Sequence, residues 1–191
     1  KNVDFFGMIF YEQSPRNITL KQAQKLVEFS KNKNIKPVGV FVNENLEVTK
    51  SFIKNLDLKL VQLHGKENDE YIKEIKDNVD LEVIKSISIK NKNDFRKINN
   101  YQTNDYFLLD YKPEKNSLPG GNAKQFDWSL LLDLKINKPW FLSGGINILN
   151  INKIKNYANP NGIDLSSGVE EAPGIKNVTM INNLIEKYYA S

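Results

Sequence analysis

One apolar run of the sequence ends in a carboxylate. The stretch YFLLDYKP (106–113) places Asp110 directly after a strand-like apolar segment. A carboxylate in that position caps a helix, pairs with a cation or donates a proton in catalysis. The choice depends on the type of sheet to which the strand belongs, because the active sites of parallel barrels lie at the carboxyl ends of the strands.

Two glycine-rich turns could hold an anion. SGGIN (143–147) follows one apolar run, and SSGVEEAPG (166–174) follows the next. Tight glycine turns let backbone N–H groups point into one cavity, and a helix that begins there adds partial positive charge. We therefore predict that these two turns bind a phosphate. The alternative is that these glycines only satisfy a positive φ.

Three further polar side chains follow apolar runs, namely Arg16, His64 and Asp164. Taken alone, Arg16 is a surface or ion-pair residue and His64 is a hydrogen-bonded histidine at the rim of a core. Lys85 lies near the end of another run. Asp127 precedes a helical segment, where a carboxylate binds backbone N–H groups.

These residues are positioned by a regular alternation of elements. Strand-like runs lie at 3–11, 37–43, 59–65, 81–89, 106–110, 138–145 and 162–168, and helical segments at 19–32, 46–56, 68–78, 92–101, 126–134, 148–157 and 179–190. The strand-like runs are continuously apolar, as parallel strands covered on both faces require. Strands that alternate with helices predict a parallel α/β fold.

The predicted fold class is a TIM (β/α)8 barrel with seven βα units present. Such a barrel has eight units, so we expect the first strand and helix to be missing from a single, N-terminally truncated domain spanning residues 1–191. An open doubly wound sheet is the alternative, but no early G-x-G-x-x-G turn supports it. In barrels the loops after the seventh and eighth strands are the recurrent phosphate site, which matches the two glycine turns.

Composition limits the function classes. The 191 residues contain no cysteine and one histidine, so we predict no disulfide and no metal site. The net charge of +4 comes from dispersed lysines without the interleaved aromatics of nucleic-acid binding. No membrane span and no signal peptide are visible. We predict a cytoplasmic protein whose partner is a small phosphorylated molecule, with no nucleic-acid or membrane partner; monomer and homodimer both remain open.

Several segments together resemble the phosphoribosylanthranilate isomerase family of tryptophan biosynthesis. They are GMIFYEQSPRNIT (7–19), VQLHGKE (61–67), LLDYKPEKNSLPGGNAKQFDWSLL (108–131), FLSGGINILNI (141–151) and GIDLSSGVEEAPGIKN (162–177). They occur in the order of the family and are spread over nearly the whole chain. The combination of QLHG, LLD…GG…FDW and D-x-SSGVE-x-x-PG is specific to this family.

The resemblance implies an Amadori rearrangement that needs neither cofactor nor metal. It implies that Asp110 is the general acid, that Arg16 binds the anthranilate carboxylate, and that His64 and Asp164 line the pocket. It also implies that the phosphate binds at Gly144, Gly145, Ser167 and Gly168. The general base of the family is a cysteine in a K-I-C-G strand, which this sequence lacks.

Two alternatives follow from that departure. One is a non-catalytic pseudoenzyme that binds a phosphorylated ligand, which the presence of both Asp110 and Arg16 disfavours. The other is a different phosphate-binding barrel enzyme of tryptophan biosynthesis, such as indoleglycerol-phosphate synthase or the tryptophan synthase α subunit. Those enzymes carry catalytic Lys or Glu residues on strand ends. Lys85 lies on such an end, although its VIKS context fits the isomerase pattern better.

Overall fold

The computed structural model describes residues 3–77, 79–111 and 125–190. The chain divides into two compact units. Val3–Ser86 and Asn99–Tyr106 form the N-terminal unit, and Ile87–Ile98 with Phe107–Ser191 make up most of the C-terminal unit. None of the helices in the described ranges is both long and apolar enough to span a bilayer. The closed barrel and the single domain stay predictions.

The N-terminal unit contains a parallel sheet whose strands pair in sequence order. They are β1 (Phe5–Phe10), β2 (Lys36–Phe41), β3 (Leu60–Leu63) and the part of β4 (Glu82–Ile89) that ends at Ser86. β1 pairs with β2 along its length, β2 with β3, and β3 with β4, each in parallel register. The α/β class predicted from the apolar runs is therefore confirmed in this unit.

Three α-helices alternate with these strands, each beginning after a polar cap. They are α1 (Leu20–Ser30), α2 (Leu46–Leu56) and α3 (Asp69–Lys76). Thr19 and Gln22 form a capping box before α1. The side-chain oxygens of Asn45 and Asn68 accept backbone N–H bonds at the starts of α2 and α3. Asn68 is thus the cap of α3.

The core of this unit lies between the sheet and its helices. Phe41, Val61 and Leu63 of β2 and β3 are completely buried, as is Ile72 of α3. Each such side chain stabilises the fold by about 1.5–3 kcal/mol through removal from water. β2 from Val38 onward and β3 are buried at nearly every position, as parallel strands covered on both faces are. In β1 only Met8 and Phe10 are buried.

The C-terminal unit contains three parallel strands and a terminal helix. They are β5 (Tyr106–Tyr111), β6 (Trp140–Leu142), β7 (Gly162–Ile163) and α4 (Val178–Ala190). The first residue of β5, Tyr106, is assigned to the N-terminal unit. β6 pairs in parallel with β5 on one side and with β7 on the other. A hairpin of β8 (Glu170–Ala172) and β9 (Ile175–Lys176) follows β7 and was not predicted. Gly174 turns the hairpin with φ 86°.

Three segments predicted as helices are 3-10 helices instead of α-helices. They span Lys92–Asn100, Trp128–Leu131 and Ile151–Asn156. The first and third of these segments are rich in Asn, and Asp127 directly precedes the second. Asn and Asp side chains bind backbone N–H groups and so compete with α-helical hydrogen bonds. In the first, Asp94 accepts from the N–H groups of Lys90 and Asn91. In the second, Asp127 accepts from the N–H of Ser129, as the capping prediction required.

Asp94 makes the stability of this unit sensitive to acid. Burial alone raises the pKa of Asp94, but bonds from the Lys97 ammonium and from two backbone N–H groups outweigh that effect and lower the pKa to about 2. A carboxylate with a depressed pKa stabilises the fold above its unfolded pKa of roughly 4 and loses that contribution as the pH falls toward 2.

We therefore expect the unfolding free energy of the parent chain, measured relative to Asp94→Asn, to fall by about 2 kcal/mol between pH 5 and pH 2. Urea denaturation at several pH values measures this difference. A difference that stays constant across the range would contradict the assignment.

Candidate functional site

Asp110 lies at the carboxyl end of β5 and is almost fully buried. Its relative exposure is 4%, and its Oδ1 accepts a hydrogen bond of 2.8 Å from the N–H of Tyr111. The N–H of Ser143 bonds to the carbonyl of Leu109 at 2.8 Å, so the end of β6 lies beside the end of β5. The carboxylate is therefore held at the edge of the sheet where the two parallel strands end.

The glycine turn after β6 approaches this carboxylate closely. Gly144 and Gly145 adopt φ angles of 90° and 64°, which side-chain-bearing residues rarely adopt. A Cβ on Gly144 would lie 3.0 Å from Oδ1 of Asp110 and 2.9 Å from the backbone nitrogen of Tyr111. Glycine is therefore needed at residue 144 both for its backbone conformation and for the space beside Asp110.

The turn does not lead directly into a helix, contrary to the expectation for SGGIN. The next helical residues are Ile151–Asn156. Asn147 and Asn150 intervene, and both donate side-chain amide bonds to the carbonyl of Gly145, at 3.1 and 2.9 Å. Any positive potential for an anion at this turn therefore comes from backbone N–H groups and not from a helix N-terminus.

The loop after β7 packs against the loop after β6. Ser143 donates a hydrogen bond of 3.0 Å from its hydroxyl to Oδ2 of Asp164. A Cβ on Gly168 would lie 2.0 Å from the carbonyl oxygen of Ile146, so this glycine is required by close backbone contact. Asp164 and Gly168 thus link the second predicted phosphate loop to the first.

The hairpin β8–β9 contacts the loop after β7 through hydrogen bonds of Lys176. Lys176 donates from its ammonium to the carbonyl of Ser166 at 3.1 Å and to Oε1 of Glu170 at 2.9 Å. Ser167 begins a 3-10 turn, Ser167–Val169, directly after that carbonyl. The pair Pro173 and Gly174 is a turn signal from which this hairpin could have been predicted.

The structure therefore brings six predicted residues together in the C-terminal unit. They are Asp110, Gly144, Gly145, Asp164, Ser167 and Gly168. An acid, a polar pair formed by Ser143 and Asp164, and two backbone turns can serve an anionic substrate that needs a proton donor. Residues 112–124, which include the second glycine pair of the LLD…GG…FDW motif, lie outside the described residues.

Two predicted residues belong to the N-terminal unit. Arg16 follows β1 in a turn in which its N–H bonds to the Ser14 hydroxyl at 3.1 Å. His64 follows β3, and the Gln62 amide Nε2 lies 2.9 Å from its Nδ1. An amide nitrogen only donates, so Nδ1 of His64 accepts this bond. Both residues lie at the carboxyl ends of strands of one parallel sheet; a site shared with Asp110 stays a prediction.

All three N–H groups of the Lys85 ammonium are engaged in hydrogen bonds, so none is available for catalysis. Its side chain is 1% exposed, and its ammonium donates to the carbonyls of Leu63 and Gly65 and to the Glu67 carboxylate, at 3.1, 2.8 and 2.8 Å. These three bonds use all three N–H groups of a lysine. Sequence reasoning missed Glu67, although a lysine within an apolar strand signals a buried partner.

The sequence of this chain is similar to a family model and to curated proteins. A family model described as N-(5'phosphoribosyl)anthranilate (PRA) isomerase matches residues 1–187. The curated N-(5'-phosphoribosyl)anthranilate isomerase of Paramagnetospirillum magneticum is 37% identical over 188 residues, which are 97% of this chain and 87% of the relative.

Solved structures agree with the sequence relatives. The crystal structure of phosphoribosyl anthranilate isomerase from Thermotoga maritima is similar with a TM-score of 0.86 and 32% identity, over 98% of this chain and 89% of that one. A structure of phosphoribosyl anthranilate isomerase in complex with reduced 1-(o-carboxyphenylamino)-1-deoxyribulose 5-phosphate is similar with a TM-score of 0.81 and 31% identity, over 98% and 88% of the two chains. The matched region includes every predicted site residue from Arg16 to Gly168.

Proposed function

Because the chain belongs to the N-(5'-phosphoribosyl)anthranilate isomerase family of tryptophan-biosynthesis enzymes, we propose that it acts on N-(5'-phosphoribosyl)anthranilate in an Amadori rearrangement. The product is 1-(2-carboxyphenylamino)-1-deoxyribulose 5-phosphate. The observation that carries the proposal is the buried Asp110 carboxyl beside the Gly144 turn, with the second glycine loop packed against the first.

Asp110 is the proposed general acid. It gives its proton to the ribose ring oxygen as the bond from that oxygen to C1' breaks, and the anilino nitrogen lone pair forms the resulting iminium. A base then removes the C2' proton, and the enol so formed rearranges to the ketone. The close approach of Gly144 and the bond from the Tyr111 N–H hold the carboxyl in one position for the proton transfer.

The substrate's two anionic ends need different partners. The phosphate is proposed to bind the backbone N–H groups of the turns at Gly144, Gly145, Ser167 and Gly168, which a substrate can approach closely because glycine has no side chain. The anthranilate carboxylate is proposed to pair with Arg16, whose planar guanidinium matches a carboxylate in two parallel hydrogen bonds. His64 and Asp164 line the remainder of the pocket in this proposal.

The general base is not among the residues of this sequence, if it is the cysteine that the family resemblance implies, because the 191 residues contain none. The proposal is therefore that turnover requires a cysteine supplied on a preceding K-I-C-G strand. A cytoplasmic location, a small phosphorylated molecule as partner, and the absence of nucleic-acid and membrane partners stay predictions.

An N-terminal extension tests the proposal directly. We expect the 191 residues to show little turnover, and the same residues preceded by a strand carrying K-I-C-G and its helix (hereafter the extended protein) to isomerise the substrate. The fluorescence of the anthranilate group, followed during the reaction, measures turnover. The matched control is the same extension with serine in place of its cysteine, which should bind the reduced product analogue but not isomerise the substrate.

One outcome of this experiment and one structural observation bear on the alternative functions. An extended protein that folds and binds the reduced product analogue without isomerising the substrate would favour a non-catalytic binder. A different barrel enzyme with a catalytic lysine is disfavoured by the complete engagement of Lys85 in three buried hydrogen bonds.

A further inference from the structure

A buried ion pair in the N-terminal unit has no role in the proposed chemistry. The ammonium of Lys85 and Oε2 of Glu67 are 2.8 Å apart, and the two side chains are 1% and 2% exposed. Burial lowers the pKa of Lys85, and the charge and hydrogen bond of Glu67 oppose that effect. Removal of two charges from water is costly, so a buried pair of this kind is a weak source of stability. A role other than stability would explain why this pair is buried here.

The pair binds the backbone on both sides of His64. The carbonyl of Leu63 and the carbonyl of Gly65 both accept from Lys85, while the N–H of Gly65 donates to Glu67 at 3.0 Å. The N–H of His64 itself bonds to the carbonyl of Phe41 at 2.8 Å. Both peptide groups that flank His64 are therefore fixed by hydrogen bonds, and the ion pair supplies one bond to each of them.

The same pair connects the loop after β3 to the loop after β2. The other Glu67 oxygen accepts from the N–H of Asn43 at 2.7 Å, and Asn43 accepts from the N–H of Lys66 at 2.6 Å. Asn43 has a positive φ of 51°, and a Cβ on Gly65 would lie 2.4 Å from its side-chain oxygen. Two loops at the carboxyl edge of the sheet are thus held together through one carboxylate.

We propose that Lys85 and Glu67 are positioning residues that fix the orientation of His64 and so its contribution to substrate binding. The inference rests on the proposed function, in which His64 lines the pocket. The phosphate is assigned to the glycine loops of the other unit, so His64 serves the part of the substrate beyond the phosphate. Lys85 and Glu67 do not touch the substrate in this proposal.

The test replaces the pair by neutral side chains of similar size. In Glu67→Gln/Lys85→Met, we expect the Kd for reduced 1-(o-carboxyphenylamino)-1-deoxyribulose 5-phosphate to rise by about tenfold or more, because small displacements of a binding group are costly. The Kd for inorganic phosphate should change by less than about twofold, because the phosphate is proposed to bind the glycine loops and not His64. Isothermal titration calorimetry on the 191-residue chain measures both constants.

A second ion pair of the same unit provides the control. Lys76 and Asp105 are 2.7 Å apart, and Asp105 accepts from the N–H of Val83 near the start of β4, at the amino end of the sheet. Lys76→Met/Asp105→Asn removes a more exposed pair from the same unit and should leave both dissociation constants unchanged. Circular dichroism and urea denaturation of both double variants separate a loss of folding from a loss of affinity.

A mutant cycle with His64→Ala distinguishes positioning from a merely structural role. If the pair acts through His64, then His64→Ala weakens analogue binding by a similar factor, and adding it to the double variant weakens binding no further. If the double variant fails to fold, the single variant Glu67→Gln, which keeps the size of the side chain, is carried through the same cycle.

Two results would overturn the inference. Additive effects of His64→Ala and the pair replacement, or an unchanged analogue Kd in a folded double variant, would show that the pair does not position His64. In both cases the parent chain still binds the analogue, so the proposed function stands. A parent chain that does not bind the analogue overturns the proposed function and this inference together.

Discussion

Asp110→Asn is expected to lower kcat of the extended protein by about 10²–10⁴-fold, the usual contribution of a general acid. The amide has the same size as the carboxyl, and its oxygen still accepts the 2.8 Å bond from the Tyr111 N–H. It cannot release a proton to the ribose ring oxygen. The loss should therefore appear in the chemical step and not in the position of the side chain.

Steady-state kinetics and analogue titration measure the two parts of this prediction. The Kd for the reduced product analogue should change by less than about threefold, because catalysis depends on interactions specific to the transition state. Asp127→Asn is the matched control, since Asp127 is also an aspartate that accepts a backbone N–H bond, from Ser129, but at the start of a 3-10 helix. A kcat of Asp110→Asn within tenfold of the parent value would refute the role of Asp110 as the acid.

Gly168→Ala is expected to weaken phosphate binding and to destabilise the C-terminal unit. The added Cβ would lie 2.0 Å from the Ile146 carbonyl oxygen and 3.2 Å from Cα of Asn147. Both atoms belong to the backbone, so no side-chain rotation relieves the contact. The loops after β6 and β7 must separate, which costs about 1–3 kcal/mol as overpacking of a tight contact does.

We expect the Kd for inorganic phosphate to rise by more than about tenfold in Gly168→Ala, because the N–H groups of the two loops no longer converge. Calorimetry measures the affinity, and urea denaturation measures the stability. Gly7→Ala in β1 is the control, since its Cβ would meet a Val40 methyl at an ordinary 3.4 Å. Unchanged phosphate affinity in a folded Gly168→Ala protein would mean that the phosphate binds elsewhere.

The strands and the candidate acid could be predicted from the sequence because one physical rule governs both. Parallel strands buried on two faces are apolar at consecutive positions, so Asp110 at the end of such a run marks the edge of the sheet. The same rule placed the loops of Gly144 and Gly168 at that edge. Their direct contact at Ile146 was beyond prediction, because it depends on atomic distances across two loops.

The helix types and the buried ion pair could not be predicted in the same way. Apolar spacing does not distinguish an α-helix from a 3-10 helix when residues such as Asp94 bind the backbone. Lys85 within β4 indicated a buried partner, but 18 residues separate it from Glu67. Only the three-dimensional structure shows that the loop after β3 places the Glu67 carboxylate beside the Lys85 ammonium.

The strand order of the N-terminal unit also bears on how the protein is made. β1 pairs with β2, β2 pairs with β3, and β3 pairs with β4. A chain that leaves the ribosome from its amino end therefore has a partner for β1 as soon as β2 has been synthesised. Each later strand closes a loop of only one strand–helix repeat, which keeps the entropic cost of closure small. We expect this unit to assemble during translation, one strand after another.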